Sequence, residues 1–344
     1  MEHMQVMDSK KSDSGFILKL ILLGLVAVTV VVVSICIGEG GFIYAADFRK
    51  MICNTLFGSD FETTRNHESI IRAVKIPGAG FIFMTGGALA VSGLIYQEIL
   101  DNRFVSPGLL GVNGAANLTG SIAALCGIQC IFTIGISFAL SLTVVLIVLS
   151  ASKKMSSAGN DKLKLLILGL LAEVFLQSVT GIVIAVFGKG MYDEWPRYRM
   201  FGGFVFGAQG ESCIMPVILG TMLVVCMLKM FGSRLEQHEK FIRVIRLMCA
   251  TLLASAGISL FGNLAWIGLA VPIVSRRVFS GKRGGSVLLT FILGGTVLTF
   301  VSVLGPCFGE FDIPKSMITG VFGVIVVMVS LKKKSACNDS YVFS

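Results

Sequence analysis

Apolar runs long enough to cross a lipid bilayer recur along almost the whole 344-residue chain. Hydrophobic residues make up 54% of it and charged residues only 14%, so a soluble domain of this composition could not cover its surface. A bilayer core is about 30 Å thick and a helix rises about 1.5 Å per residue, so runs of about 20 apolar residues indicate transmembrane helices. The composition therefore predicts an all-α integral membrane protein, with residues 1–344 forming a single membrane-spanning domain.

The length and apolarity of these runs predict about ten transmembrane helices between two polar tails, residues 1–15 and 332–344. The predicted spans are residues 16–37, 70–100, 107–126, 128–150, 163–187, 214–230, 244–261, 264–279, 286–304 and 314–331. The polar stretch at 38–69 is expected to be an external loop. Ten spans place both termini on one side of the membrane.

The charge distribution predicts which side that is. Under this topology the two tails and the turns near 103, 153–164, 229–246 and 276–283 share one side and carry most of the 29 Lys and Arg residues. Cytoplasmic loops of membrane proteins carry the excess of Lys and Arg. Both termini are therefore expected in the cytoplasm, with the chain in a plasma membrane.

Several chemistries find little support in the sequence. The chain has no GxxxxGK[ST] phosphate-binding loop, so an energy source must come from a partner or an ion gradient. Its nine cysteines show no metal-ligand spacing and it has only three histidines. We expect no cofactor, no metal and no catalytic residue, and the positive charge of a membrane protein does not call for a nucleic-acid partner.

A polar turn at residues 97–116, QEILDNRFVSPGLLGVNGAA, interrupts the apolar runs. It contains a charged elbow, defined here as residues 97–107, followed by a Pro-Gly break and a run of small residues. The turn resembles the FecCD-type permease family of bacterial ABC importers, in which a Gln precedes R-N-P-L-A-x-P-x-x-L-G. Five residues match that spacing, while Arg103 replaces the family proline: Gln97, Asn102, Pro107, Leu110 and Gly111.

Further segments carry the same resemblance from about residue 16 to residue 331. Residues 75–78 (KIPG) stand for the family's R-L-P-R, and residues 262–272 (GNLAWIGLAVP) with Arg276 follow G-x-I-x-F-V-G-L-I-V-P-H-x-x-R. Residues 312–314 (DIP) stand for E-L-P, and residues 198–204 (YRMFGGF) resemble an external glycine turn. Four such segments in the family's order make the resemblance specific.

The resemblance implies a cobalamin-importer-like permease fold and a set of partners. The expected partners are a second permease chain, identical or related, two cytoplasmic ABC ATPase subunits, an extracytoplasmic substrate-binding protein and membrane lipid. ATP hydrolysis would belong to a separate chain. The expected cargo is an iron chelate, either a ferric siderophore or haem, carried across a bacterial inner membrane, with cobalamin as the alternative.

The resemblance also places two docking surfaces. The ATPase side would be formed by the elbow, by the cytoplasmic loop at 229–243 and by the end of the eighth span: Gln97, Asp101, Asn102, Arg103, Ser233, Leu235, Glu236 and Arg276. Glu236 stands where the family has Gly, and the loop is several residues short, which favours altered coupling. The binding protein would dock on Arg72, Lys75 and Lys315, although Gly78 and Gly305 replace family arginines.

A third group of residues is expected in the translocation path or in helix packing: Pro107, Gly111, Glu173, Gln177, Gly262, Gly268 and Pro272. Prolines break helices at membrane depth, and glycines let helix backbones approach. Glu173 lies in an apolar helix where the family has a small residue, and Gln177 follows at i+4 on the same face. Such a carboxylate either bonds a neighbouring helix or forms a polar spot in the path.

Two readings from other classes remain open. In one, the chain is an ion-coupled secondary transporter in which Glu173 is the coupling carboxylate and the broken helices frame the site. In the other, it is a diverged paralogue that no longer transports. The absence of two similar halves in the sequence disfavours the first reading.

Overall fold

The structure, a computed structural model, describes residues 2–37, 44–57, 65–154, 161–187, 217–222, 225, 239–264, 266–278, 285–307 and 315–339. Within these ranges the chain is helical apart from short connections, and no strand occurs. The helices are α1 (Glu2–Cys36), α2 (Ala45–Phe57), α3 (Arg65–Ile70), α4 (Ile76–Ile99), α5 (Val112–Leu125), α6 (Cys130–Lys154), α7 (Asp161–Phe187), α8 (Glu239–Phe261), α9 (Ile267–Val278), α10 (Gly285–Cys307) and α11 (Lys315–Asp339). A π-helical turn (Ile71–Lys75) joins α3 to α4, and a 3₁₀ turn (Gly108–Leu110) precedes α5.

The helices lie where the apolar runs predicted them. Every predicted span coincides with a helix of the structure, although within 214–230 only residues 217–222 and 225 are described. Among the described residues, six stretches are long and apolar enough to cross a membrane: Leu18–Cys36, His67–Ile99, Cys130–Lys154, Leu163–Phe187, Phe241–Phe261 and Val287–Leu304. The all-α membrane fold is confirmed, and the number of crossings stays a prediction.

Two predicted spans are shorter than the sequence suggested. Helix α5 has 14 residues and begins at Val112 rather than at 107, because Gly111 adopts a left-handed φ of 83°. Helix α9 has 12 residues and begins at Ile267 rather than at 264, after left-handed backbone at Gly262 (φ 78°) and Trp266 (φ 75°). A helix of 12 residues is about 18 Å long, so neither segment spans a bilayer core of about 30 Å on its own.

Helix α4 is the centre of the bundle. Every residue from 85 to 97 is buried, on all faces of the helix, as expected for a helix that other helices surround. It packs most extensively against α10 and also against α8, α9 and α1. Helix α5 packs against α6, α7 and α8, so α8 contacts both α4 and α5. The segment between α4 and α5, which contains the elbow, therefore joins two helices that pack on α8.

The stretch at 38–69 is more structured than the loop that the sequence suggested. Helix α2 turns Phe48 and Met51, three residues apart, toward the C-terminal end of α1, where they join a small core with Ile35, Ile71 and Ala79. This spacing places both side chains on one helical face, which gives the otherwise polar segment an apolar stripe to bury. We refer to α2 and α3 as the α2–α3 layer.

The outer surface of the bundle is apolar. Large hydrophobic side chains on α1, α6 and α7 are exposed, for example Leu18, Phe132, Phe175 and Phe187, each more than 60% exposed. Exposed apolar area of this extent is expected where helices face lipid or other membrane helices.

Candidate functional site

The elbow is a tight reverse turn at the end of α4. Asp101 has a positive φ of 45°, and the Asn102 amide donates back to the Gln97 carbonyl at 3.2 Å. The Asn102 side-chain oxygen then accepts from the Phe104 amide at 3.0 Å, which is the local bond by which Asn favours turns. Asp101 and Arg103 are exposed, so the two charges of the turn point away from the bundle.

The chain re-enters the bundle at Pro107, which is buried. The Pro107 carbonyl accepts hydrogen bonds from the Leu110 and Val112 amides, at 3.1 and 3.2 Å. Gly111 then reverses the backbone direction, and α5 begins. A side chain at Gly111 would also collide with Val144 of α6. Helix α4 ends earlier, at Ile99, and the depth of Pro107 in the membrane stays a prediction.

The two sequence segments that were predicted separately, 97–111 and 262–272, meet at a seam between α4 and α9. A side-chain carbon at Gly93 would fall on the carbonyl group of Gly268. One at Gly268 would lie 3.2 Å from the Pro107 ring, so residues 107–114, which we call the re-entrant limb, pack on the same glycine. We call the contact of Gly93, Gly268 and Pro107 the glycine seam.

Gln97 reinforces the seam with a hydrogen bond. Its side chain is only 2% exposed, and its Nε2 donates to the Leu269 carbonyl at 3.4 Å. Its Oε1 is buried and has no hydrogen-bond partner among the described residues. Gln97, predicted to lie at the ATPase side, is therefore buried against α9, whereas Asp101 and Arg103 remain accessible.

Pro272 explains why the Gly268 carbonyl is free to face α4. Proline inside a helix has no N–H, and its ring displaces the carbonyl of the residue four positions earlier. In α9 that residue is Gly268. Arg276 follows in the last turn of α9, partly buried, and its Nη2 has no hydrogen-bond partner within the described part of the chain.

Glu173 lies in a polar network between α5 and α7. Its Oε2 accepts from the Gly114 amide at 2.7 Å, and its Oε1 accepts from the Gln177 side chain at 3.1 Å. The Gln177 oxygen accepts in turn from Asn117 at 3.1 Å. Of the two interpretations of Glu173, the bond to a neighbouring helix is the one that this geometry favours.

Helix α5 presents further polar groups at intervals of four residues. Asn113, Asn117 and Ser121 are 6%, 0% and 0% exposed, and each has a buried oxygen without a hydrogen-bond partner among the described residues. Sequence reasoning missed Asn117, although an Asn in an apolar helix is itself a signal that the side chain meets another polar group.

The predicted binding-protein residues differ in their surroundings. Lys75 donates to the Ile37 carbonyl at 2.8 Å, and its ammonium lies 5.2 Å from the centre of the Tyr44 ring. Arg72 is 59% exposed and pairs with Glu68 at 3.0 Å. Lys75 is thus engaged within the chain, whereas Arg72 is available to a partner.

A hydrogen bond between side chains ties the α2–α3 layer together. His67 Nδ1 and Asp47 Oδ2 are 2.6 Å apart, and Asp47 is buried. The Tyr44 ring meets His67 edge-on, at 5.2 Å between centroids. These contacts could not be predicted from the sequence, since the residues are 20 or more positions apart.

Other predicted positions cannot be placed. Ser233, Leu235 and Glu236, and the segments 198–204 and 312–314, lie outside the described residues. Lys315 is the first residue of α11, but the structure does not describe its side chain. Among the described residues no group of His, Cys, Asp and Glu could hold a metal ion.

Apolar helices long enough to cross a membrane, packed together at a glycine seam, define an integral membrane protein. The family model described as the FecCD transport family matches residues 22–333. The chain therefore belongs to the FecCD transport family.

Individual proteins also resemble the chain, each at 25% sequence identity or less. The Fe(3+)-citrate import system permease protein YfmE of Bacillus subtilis is 23% identical, over 91% of this chain and 95% of its own. The vitamin B12 import system permease protein BtuC of Yersinia pseudotuberculosis is 25% identical, over 66% and 73%. A metal-chelate type ABC transporter, solved in an inward-facing conformation, has the same fold, with a TM-score of 0.70 at 17% identity over 91% of this chain and 98% of its own.

Proposed function

We propose that this chain is the membrane-spanning permease subunit of an ABC importer that carries an iron chelate across a bacterial inner membrane. The observation that carries the proposal is the glycine seam, because it brings two proline-containing segments of a FecCD-family sequence, around Pro107 and Pro272, into contact. An iron-citrate permease aligned over 91% of the chain supports an iron chelate as cargo, and the vitamin B12 relative keeps cobalamin as the alternative.

The proposed assembly contains two permease chains, two ATPase subunits and an extracytoplasmic binding protein. Its energy comes from ATP hydrolysis on the separate ATPase chains. The exposed turn Asp101–Arg103, with the loop at 229–243, is proposed to face the ATPase. Arg72 and Lys315 are proposed to face the binding protein, since complementary charges set the orientation and rate of docking. The apolar outer surface leaves room for a second permease chain and for lipid.

Uptake in cells tests the cargo. A strain that lacks this gene is complemented with the chain and supplied with ⁵⁵Fe bound to citrate, to a siderophore or in haem, and separately with ⁵⁷Co-cobalamin. Restored ⁵⁵Fe uptake with unchanged cobalt uptake supports the proposal. Restored cobalt uptake alone favours the cobalamin alternative. Uptake of neither cargo contradicts the proposal and favours a non-transporting paralogue.

The energy source distinguishes an ABC importer from an ion-coupled carrier. In the same cells, arsenate treatment depletes ATP and a protonophore collapses the proton gradient. We expect uptake to stop under arsenate and to persist after the protonophore while ATP is maintained by a fermentable carbon source. The opposite pattern would favour an ion-coupled transporter. Co-purification of an ATPase subunit with the tagged permease is the biochemical counterpart.

A further inference from the structure

One face of α7 follows the re-entrant limb, residues 107–114, closely. A side chain at Gly169 would collide with the Leu109 carbonyl, and one at Gly111 would lie 3.3 Å from Ala172. Gly169, Ala172, Glu173 and Leu176 are spaced at i, i+3, i+4 and i+7, so they share one helical face. The re-entrant limb is therefore seated on α7 by backbone-close packing.

Helix α5 begins on this limb without a cap of its own. Its first three residues are Val112, Asn113 and Gly114, and the preceding residue, Gly111, has no side chain that could accept a hydrogen bond. The first amides of a helix have no acceptor within the helix and are usually satisfied by a side chain just before it. At Gly114 the acceptor comes from another helix, since Glu173 of α7 binds this amide at 2.7 Å.

The network is directed toward the carboxylate. Gly114 and Gln177 both donate to Glu173, and Asn117 donates to Gln177. A carboxylate at a helix N-terminus also interacts favourably with the positive end of the helix dipole. Since an unpaired carboxylate in a membrane core is costly, this set of donors accounts for its presence in an apolar helix. Both oxygens of Glu173 are engaged within the protein.

We propose that Glu173 is a positioning residue, which caps α5 from α7 and so joins the re-entrant limb to α7 as one moving unit. The proposal rests on the proposed transport function, because the cap affects the conformational change that the permease makes during transport. The limb contacts α9 through Pro107 and α7 through Gly111 and Gly114. Without the cap, only the packing at Gly169, Gly111 and Gly114 holds the limb on α7, and we expect the start of α5 to separate from α7 more readily.

Hydrogen exchange measures the cap directly. The full-length chain in lipid nanodiscs is compared with Glu173→Ala and with Glu173→Met, which keeps most of the side-chain volume. Exchange of peptides covering residues 108–117 should rise about tenfold or more, as expected when a buried backbone N–H loses its acceptor. Glu173→Gln retains an oxygen acceptor for the Gly114 amide and should exchange at close to the native rate.

Ser178→Ala is the matched control on the same helix. Ser178 is exposed and its hydroxyl donates to Val174 within α7, so its loss should leave residues 108–117 unchanged. Native exchange in both the Ala and the Met variant would overturn the proposal. So would a Gln variant as fast as the Ala variant, or an increase spread evenly over the whole chain. The two apolar variants differ in volume, so failure of one to fold leaves the other to decide.

Uptake kinetics separate positioning from contact with the cargo. With ⁵⁵Fe-citrate or the chelate found to be carried, Glu173→Ala should lower the maximal uptake rate several-fold at equal membrane abundance and leave the half-saturating concentration unchanged. A changed half-saturating concentration with an unchanged maximal rate would place Glu173 against the cargo and overturn the proposal. If the native chain carries no chelate or cobalamin, the proposed function fails, while the exchange measurement still decides whether Glu173 caps α5.

Discussion

The backbone of Gly93 in α4 lies against the carbonyl group of Gly268 in α9, at the place where any other residue would carry its side chain. No atom of a side chain fits between the two helices there. Because glycine has no Cβ, α4 and α9 approach until backbone touches backbone, which is the way small residues mediate close packing of membrane helices. Pro107 packs on the same glycine, so the contact fixes three segments at once.

The first prediction follows from this contact. Gly93→Ala must push α4 and α9 apart, because the neighbouring atoms are backbone and cannot rotate away. We expect a loss of about 1–3 kcal/mol or more, as found for overpacked interiors, and a lower thermal unfolding temperature in detergent. Gly135→Ala is the control, since nothing lies within 4 Å of an added carbon at that helical glycine. Equal unfolding temperatures for the two variants would contradict the seam.

The second prediction concerns Pro272. Alanine at this position supplies the missing N–H, and the Gly268 carbonyl is then drawn back into the hydrogen bonds of α9. We expect Pro272→Ala to keep or raise the unfolding temperature, since proline is unfavourable in a helix interior by about 3 kcal/mol relative to Ala. Transport should fall several-fold, because the carbonyl no longer faces Gly93.

Uptake and thermal unfolding of the same Pro272→Ala preparation check this separation. Pro77→Ala is the matched control, because Pro77 also lies in continuous helical backbone, where the π-helical turn runs into α4, but is not part of the glycine seam. A variant that transports at the native rate would show that the freed carbonyl has no part in transport. A variant that unfolds at a lower temperature would show that the proline stabilises α9.

The positions of the helices could be predicted from the sequence because bilayer thickness dictates the length of an apolar run. The elbow was predictable for a similar reason, since Asp101, Asn102 and Pro107 are turn-forming residues between two such runs. The late start of two helices was not predictable, because it depends on the left-handed backbone at Gly111 and at Trp266, and a Trp gives no warning of a positive φ.

The sequence also could not predict which residues form hydrogen bonds between helices. Glu173 is 59 residues from Gly114, and nothing in the pattern of either helix pairs the two. The same holds for Gln97 and Leu269, which are 172 residues apart. In the sequence, such residues can be recognised only as polar groups in apolar surroundings. Their partners are set by how the helices are arranged, which the periodicity of a single helix does not encode.

The third prediction tests the bond of Gln97. Glutamate at this position would bury a carboxylate opposite the Leu269 carbonyl, which has no proton to donate. We expect Gln97→Glu to lose uptake and to fold poorly, since buried charges without a partner are strongly destabilising. Gln97→Met, of similar length, removes the donor and the unpaired oxygen together and should cost about 1 kcal/mol or less.

Membrane abundance and thermal unfolding of the two Gln97 variants give the comparison. Glu98→Gln, at the exposed next position, is the control for a change of charge in the same turn. Should Gln97→Glu accumulate and transport like the native chain, Gln97 would have to face solvent. That result would show that α4 and α9 are not in contact at the elbow.

The fourth prediction separates Arg72 from Lys75 at the expected binding-protein surface. Lys75 caps the end of α1 by donating to the Ile37 carbonyl, and it lies against Tyr44. Arg72 is 59% exposed, and surface pairs such as the one it makes with Glu68 contribute about 0.3–0.5 kcal/mol. We therefore expect Lys75→Met to lower the unfolding temperature and Arg72→Ala to leave it unchanged.

The association rate of the binding protein should depend more on Arg72 than on Lys75, which is the opposite order to the unfolding temperature. Arg72→Glu is expected to slow association of the binding protein and to reduce the dependence of that rate on salt, because exposed charges steer encounter. Surface plasmon resonance at two salt concentrations, with the permease in nanodiscs, measures both effects, and Arg49→Glu on the exposed face of α2 serves as the charge-matched control. If Lys75→Met slows association more than Arg72→Glu while its unfolding temperature stays native, Lys75 contacts the partner. Its bond to Ile37 would then have to open when the binding protein docks.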